Sequence, residues 1–463
     1  MSENRSARLG QMPMRQLVLK TSLPIMFSML IQGLYNIVDS IFVAQYHPQA
    51  LTAVSLAFPI QNLMLALSVG TGVGINSLIS RRLGEGRRKE ALDASHNGVF
   101  LAVLSWAVFL LFGIFFARPF FKAYTNDAQV LQMGGDYLQI VTIFSLGQFL
   151  SVAVERMMQG TGNTVYNMVT MVVGAVINII LDPLLIFGWG PFPEMGVAGA
   201  AIATVFAQTM GFFVGLYLNQ TRNKELPLSF KGFRPSLKII KDIYVVGVPS
   251  IVMQSIASVM TVLMNLILIA FGNEAVSVLG VYFKLQSFIF MPVFGLTNAL
   301  VAIIGYNYGA RNQKRVYAAI KVALCYSLII MIAGMLLFLL MPEQMLGLFA
   351  STDPTAVEQT QRMIELGVVA LRTISLSFLG AAIGIILSTV FQAIGNGLLS
   401  LLISICRQLV VLLPAAYFLA PLGVDAVWWS FPIAETVSLV LVLITFRWAN
   451  RRYLKPLGNM NSL

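Results

Sequence analysis

Residues 17–43 read LVLKTSLPIMFSMLIQGLYNIVDSIFV. A helix of about 20 mostly apolar residues crosses the hydrocarbon of a bilayer, and this run is long enough to do so with Lys20 near one end and the carboxylate of Asp39 near the other. Runs of the same kind recur at 51–79, 94–117, 130–155, 164–187, 196–218, 243–270, 275–306, 316–340, 363–389, 398–420 and 423–447. The pattern predicts an all-α membrane protein of about twelve transmembrane helices joined by short polar loops. Composition agrees: 11% of residues are charged, less than half the roughly 25% of a soluble domain. The polar start before residue 17 leads into an apolar run too long for a signal-peptide core, so no cleaved leader is expected.

A formal charge of +11 raises the prospect of nucleic acid, but the placement of the charges argues for membrane topology instead. Basic residues gather in alternate loops: Arg5, Arg8, Arg15 and Lys20 at the start, then Arg81, Arg82, Arg87, Arg88 and Lys89. They return as Arg222, Lys224, Lys231, Arg234, Lys238 and Lys241, as Arg311, Lys314, Arg315 and Lys321, and as Arg447, Arg451, Arg452 and Lys455, with Arg156 on the same side. The other side holds Arg118, Lys122 and Arg362. Cytoplasmic loops carry such an excess, so both termini are expected in the cytoplasm, with the basic loops against anionic headgroups. Cys325 and Cys406 fall within spans, where they pack rather than pair.

The chain reads as two related halves. At a spacing of 225, Pro24 meets Pro249, Phe58 meets Phe283, Gln61 meets Gln286, Gly70 meets Gly295 and Gly84 meets Gly309. After an insertion the spacing is 233, pairing Gly147 with Gly380, Gln159 with Gln392, Gly162 with Gly395 and Asn163 with Asn396. Six spans per half give both copies one orientation, related by a pseudo-twofold axis along the membrane normal, an arrangement of carriers that bind substrate between their halves. The expected organisation is a tail over 1–16, one six-helix lobe over 17–218, a basic linker over 219–242, a second lobe over 243–447 and a tail over 448–463.

An ionisable side chain inside a span is costly and by default marks a functional site. The first half has Asp39, Glu155 and Asp182. Gln32, Tyr35, Asn36 and Asp39 follow at i, i+3, i+4 and i+7, one helical stripe, and Asn178 and Asp182 stand one turn apart. The structural alternative is interhelical hydrogen bonding that packs the bundle. By the repeat spacings, however, the second half puts Thr261 and Met264 in place of Asn36 and Asp39, Val411 and Ala415 in place of Asn178 and Asp182, and Ser388 in place of Glu155. A packing role would tend to persist in both copies, whereas an ion site need exist only once. Desolvation lets a carboxyl group take a proton near neutral pH, and oxygen donors without thiolate or imidazole suit a hard cation such as sodium. Both ions stay open. The second half has Lys284, Arg372 and Arg407 instead, with Glu435 a plausible partner for Arg407.

No stretch reads G-x-x-x-x-G-K-[ST], so direct use of ATP is not expected, and the glycines at 70, 72 and 74 lie inside an apolar helix where they allow close packing. His47 and His96 are isolated, so neither an enzyme nor a metal centre is indicated. No cofactor is expected beyond a coupling ion.

Several of these segments resemble the multidrug and toxin extrusion family, most closely its MepA-like branch. They are Pro24 with Tyr35-Asn36-Ile37-Val38-Asp39-Ser40-Ile41-Phe42, then Ile79-Ser80-Arg81-Arg82-Leu83-Gly84, Gln159-Gly160-Thr161-Gly162-Asn163, Asn178-Ile179-Ile180-Leu181-Asp182-Pro183 and the glycine-alanine run from Gly196 to Thr204. The resemblance implies two six-helix lobes around a V-shaped cavity. It implies a monomeric proton- or sodium-coupled antiporter of the bacterial plasma membrane that exports diverse small, often cationic or aromatic, compounds. It assigns ion binding, including a possible sodium ion, to Asp39, Asn178, Asp182 and Thr204, matches Glu155 to a further acid, and matches Pro24 to a hinge in the first span. Gln254, Met264 and Arg372 depart from the acids of a second-lobe sodium site. An apolar and aromatic substrate pocket would draw on Tyr35, Gln61, Met253, Gln254, Tyr282, Phe283 and Gln286.

Two alternatives have separate signatures. A flippase of lipid-linked precursors in the same superfamily would need a cavity rich in Arg and Lys, for which Lys284, Arg372 and Arg407 are candidates. A major-facilitator carrier is suggested by Arg81-Arg82-Leu83-Gly84-Glu85-Gly86-Arg87-Arg88 but lacks the acid of that motif. A channel is disfavoured because no filter-like loop interrupts the spans.

Overall fold

A computed structural model of the chain describes residues 6–125, 127–229, 231–349 and 357–459; Arg5 of the basic N-terminus lies outside them. Among the described residues all regular structure is helical. The spans are α1 (Met14–Tyr46), α2 (Gln49–Gly84), α3 (Arg88–Phe115), α4 (Ala128–Ile143 with Leu146–Gly160), α5 (Thr164–Ile186) and α6 (Gly196–Arg222). The second set is α7 (Leu237–Phe271), α8 (Asn273–Gly309), α9 (Gln313–Leu340), α10 (Glu358–Ser375 with Phe378–Ala393), α11 (Gly397–Leu422) and α12 (Val424–Gly458).

Hydropathy predicts α4 and α10 as uninterrupted spans, whereas the structure bends them by 45° and 49°. The cause is a serine in each. Ser145 donates its hydroxyl to the Thr142 carbonyl at 2.8 Å and Ser377 donates to that of Ile374 at 2.6 Å. Each backbone N–H turns to the same i−3 carbonyl, so the i−4 ladder breaks and the helix kinks. Ser145 and Ser377 lie within one residue of the repeat spacing of 233, so the two halves share the bend.

Each half folds around its own core. One core takes residues between Val43 and Ala201, including Phe109, Phe121 and Phe149. The other takes residues between Met260 and Ala434, including Tyr282, Phe338, Phe378 and Trp428. The two lobes meet through α1 against α8 and α2 against α7. Contact is tightest at the end that carries the termini, where a Cβ on Gly84 would lie 1.9 Å from the Tyr306 carbonyl oxygen and one on Gly309 2.2 Å from that of Arg81. The internal repeat pairs these two glycines, so the duplication has kept residues that let the lobes touch backbone to backbone. Positions 74–80 of α2 are all buried, whereas at the opposite end Leu51, Thr52, Ser55, Phe58 and Pro59 are exposed. The lobes are sealed at the terminal end and parted at the other, leaving a V-shaped cleft. Gly84→Ala is expected to destabilise the seal by about 1–3 kcal/mol through overpacking. In a background lacking Cys325 and Cys406, this should read as faster thiol labelling of Ser80→Cys on the sealed face.

Two connecting segments reinforce that end. The short helix Ala7–Gln11 is docked rather than trailing as a tail: Leu9 is buried, its carbonyl accepts from Asn307 and Arg315, and its side chain joins Leu300, Ile303 and Ile304. The inter-lobe linker is stitched to the first lobe. Arg88 donates to the carbonyls of Lys224 and Glu225, the Ser229 N–H donates to His96 Nε2 at 3.0 Å, and the Ser236 N–H donates to Asn97 Oδ1 at 2.9 Å.

Candidate functional site

Small residues make the site possible. The run Gly196–Ala203 on α6 lets α5 approach so closely that a Cβ on Gly199 would lie 2.4 Å from the Leu185 carbonyl oxygen. At that separation Thr204 reaches across to α5. The Asn178 Nδ2 donates to Asp182 Oδ1 at 3.3 Å and to Thr204 Oγ1 at 3.4 Å. Asp182 is completely buried. α1 packs against α5 and brings the carboxyl group of Asp39 beside that of Asp182.

Asp39 Oδ1, Asn178 Oδ1 and Asp182 Oδ2 are buried, with no donor directed at them. Orphaned buried acceptors are rare in folded proteins, and these three lie in one cluster that a positive charge would satisfy. A proton shared between the two carboxyl groups would satisfy two of them. A sodium ion would draw on carboxylate, amide and hydroxyl oxygens, the hard donors it prefers. Among the described residues no group of three or more His, Cys, Asp and Glu could hold a metal ion. Thr204→Ala removes one oxygen without touching either charge and is expected to weaken the coupling ion by about tenfold, measured as the ion concentration for half-maximal transport.

The other sequence candidates scatter around this cluster. Tyr35 lies one helical turn before Asp39 on α1. Glu155 is on the second segment of α4 and accepts from the Ser151 hydroxyl at 3.2 Å. The structure does not bring Asn36 into the cluster: at about 100° per residue it sits on the side of α1 turned toward the cleft, and it is exposed. Pro24 is half-buried within a helix that runs unbroken from Met14 to Tyr46, two residues from the contact between Met26 and Gly295.

Of the expected substrate residues, Gln254 lies on the face of α7 that meets α2, and Met253 is turned away from it. Gln61 is half-buried and donates to the Tyr137 hydroxyl at 2.9 Å. Tyr282 departs from the expectation, being 2% exposed in the core of the second lobe between Phe283, Phe338 and Phe431. Phe283 packs on that core and Gln286 is half-buried. The cleft wall of α8 is instead the stripe through Lys284 and Phe288. Sequence reasoning also missed Tyr137, buried in α4 near Asp39 and Tyr35; an isolated Tyr in a span carries no pattern to mark it. Arg407 and Glu435 form the expected ion pair at 3.4 Å, with Arg407 carried on a π-helical turn at Cys406–Leu412.

Up to twelve apolar spans, taking each bent pair as one, set in two lobes with a cleft between them and a cluster of unpaired buried oxygens in one, are the architecture of a membrane transporter rather than of an enzyme. The MatE family model matches residues 24–184 and 249–418, one segment in each half, and the chain belongs to that family. It is 28% identical over 434 residues to the multidrug export protein MepA of Staphylococcus haemolyticus, covering 93% of both chains. It is 26% identical over 404 residues to a FAD transporter of Shewanella oneidensis, covering 87% of this chain and 88% of the relative. A solved multidrug resistance MATE transporter of the MOP superfamily in an outward-facing conformation superposes with a TM-score of 0.89 at 26% identity, covering 99% of each chain.

Proposed function

We propose that this protein is an antiporter that exchanges protons or sodium ions for small organic compounds, many of them aromatic, which it exports across a bacterial plasma membrane. The observation that carries this reading is the convergence of the unpaired oxygens of Asp39, Asn178 and Asp182 in the first lobe, beside a cleft that opens at one end. Loading that cluster changes the charge against which α1, α5 and α6 pack. A ligand shifts a conformational equilibrium only by its differential affinity for the two states, so ion and substrate are coupled where each favours a different arrangement of the lobes. Pro24, next to the inter-lobe contact on α1, is the proposed hinge. Both termini face the cytoplasm, as the basic loops require, so the parted end faces outward and the lobes, 17–218 and 243–447, rock about the sealed end. The protein works as a monomer and uses no further cofactor.

Relatives named for multidrug export and for FAD support a small-molecule cargo of wide chemistry. The test is uptake of neutral, cationic and anionic fluorescent aromatics into proteoliposomes under an imposed proton or sodium gradient. Gradient-dependent transport of at least one class supports the proposal, and no response to either ion defeats it. A flippase of lipid-linked precursors is the second reading. The exposed Lys284 and Arg372 favour it, while the engagement of Arg407 by Glu435 weakens it.

A further inference from the structure

We infer that Lys284 sets the charge preference of the transported molecule, favouring aromatic compounds that carry an anionic group over organic cations; this rests on the transport reading above. On α8, positions 284, 288, 291, 295 and 298 recur every three or four residues and share one face. The last three touch the first lobe. A Cβ on Gly33 would meet Met291, one on Gly295 would meet Met26, and Asn298 bonds Arg156 and Asn76. Toward the parted end the same face loses its partner, and Lys284 and Phe288 become exposed. Lys284 therefore faces the cleft between the lobes and not the lipid.

Its depth is informative. From the contact of Gly33 with Met291, Lys284 lies seven residues along α8 and Asp39 six residues along the antiparallel α1. Both distances come to roughly 10 Å at 1.5 Å per residue. The Lys284 backbone thus stands level with that of Asp39, on the facing wall. Continuing the contact faces of α1, α2 and α7 in the same way brings Ser40, Ser55 and Asn265 to the cleft, all uncharged.

A lysine within a membrane span normally reaches for the headgroups or pairs with an acid. Among the described residues Lys284 has no acid within ion-pair distance, and its Nζ lies 5.7 Å from the centroid of the Phe349 ring. That contact leaves the charge unneutralised. A fixed positive charge in a cleft with low-dielectric walls concentrates anions and excludes cations, and the rings of Phe288 and Phe349 beside it offer surfaces on which an aromatic ligand can stack.

Fluorescein and rhodamine 123 share a xanthene frame and carry opposite charge at neutral pH, which makes them the probes. Binding to purified protein in nanodiscs of neutral lipid is read by fluorescence polarisation for the wild type and for Lys284→Gln, Lys284→Arg and Lys284→Glu. The wild type should bind fluorescein at least about tenfold more tightly than rhodamine 123. Lys284→Gln should erase the difference, Lys284→Arg should keep it and Lys284→Glu should reverse it. A wild type that does not bind fluorescein, or a ratio of affinities that ignores residue 284, overturns the inference. Gradient-driven uptake of the two dyes is measured in parallel. Ion-coupled uptake with a charge preference indifferent to residue 284 defeats the inference and leaves the transport reading standing. The predicted binding ratios without ion-coupled uptake do the reverse.

Discussion

Asp182→Asn should abolish ion-coupled transport, lowering the gradient-dependent rate by at least about a hundredfold, while the protein still inserts and folds. The side chain is completely buried between Asn178 and Asp39, and the amide is nearly its isostere. The substituted group gains an N–H that can donate to the unpaired Asp39 Oδ1, so packing is preserved. What disappears is the ability to bind and release a proton, or to offset a cation with a second negative charge. Asp39→Asn should fail in the same way from the α1 side. Uptake in proteoliposomes, with monodispersity in detergent as the folding control, checks both. Ion-coupled exchange retained in the two variants would remove the cluster from the mechanism.

The second large effect is expected at the sealed end. Arg156 is buried in α4, where its Nη1 donates to Asn298 Oδ1 across the lobe interface at 2.7 Å and to Gln159 Oε1 at 3.0 Å. Among the described residues no carboxylate lies within ion-pair distance of it. Asn298→Leu would take from this guanidinium its bond across the interface and leave it Gln159. Losing a hydrogen bond to a buried charged group costs about 1.5–3 kcal/mol, so the lobes should part at this end to let water reach it. In the background lacking Cys325 and Cys406, Ser77→Cys should become reactive to a soluble thiol reagent. Adding Arg156→Met to Asn298→Leu removes the charge and should restore protection. If the double variant labels as fast as the single one, Arg156 does not hold the seal.

The fold was legible because the bilayer is an exacting solvent. Long apolar runs with Lys20 and Asp39 near opposite ends leave little choice of architecture, and paired glycines such as Gly84 and Gly309 survive in both copies because nothing larger fits. The meeting of Asp39 with Asp182 was legible for the opposite reason: two carboxylates stand out against an apolar background. The bends at Ser145 and Ser377 were not, since a serine in a span is commonplace until its hydroxyl is seen to capture a carbonyl. The cleft wall was misread by a few positions along α8. Hydropathy cannot tell a face turned to lipid from one turned to a partner or to water, so Tyr282, on the core side, looked as suitable as Lys284.

The stitched linker bears on how the two lobes can move. Lys224, Glu225, Ser229 and Ser236 of the linker are fastened to the first lobe through Arg88, His96 and Asn97, so α7 springs from a fixed post at Leu237. Any swing of the second lobe must be taken up by helix flexure above that anchorage. Pro249, twelve residues up α7 from Leu237 and the repeat mate of Pro24, is where such a lever has its natural elbow.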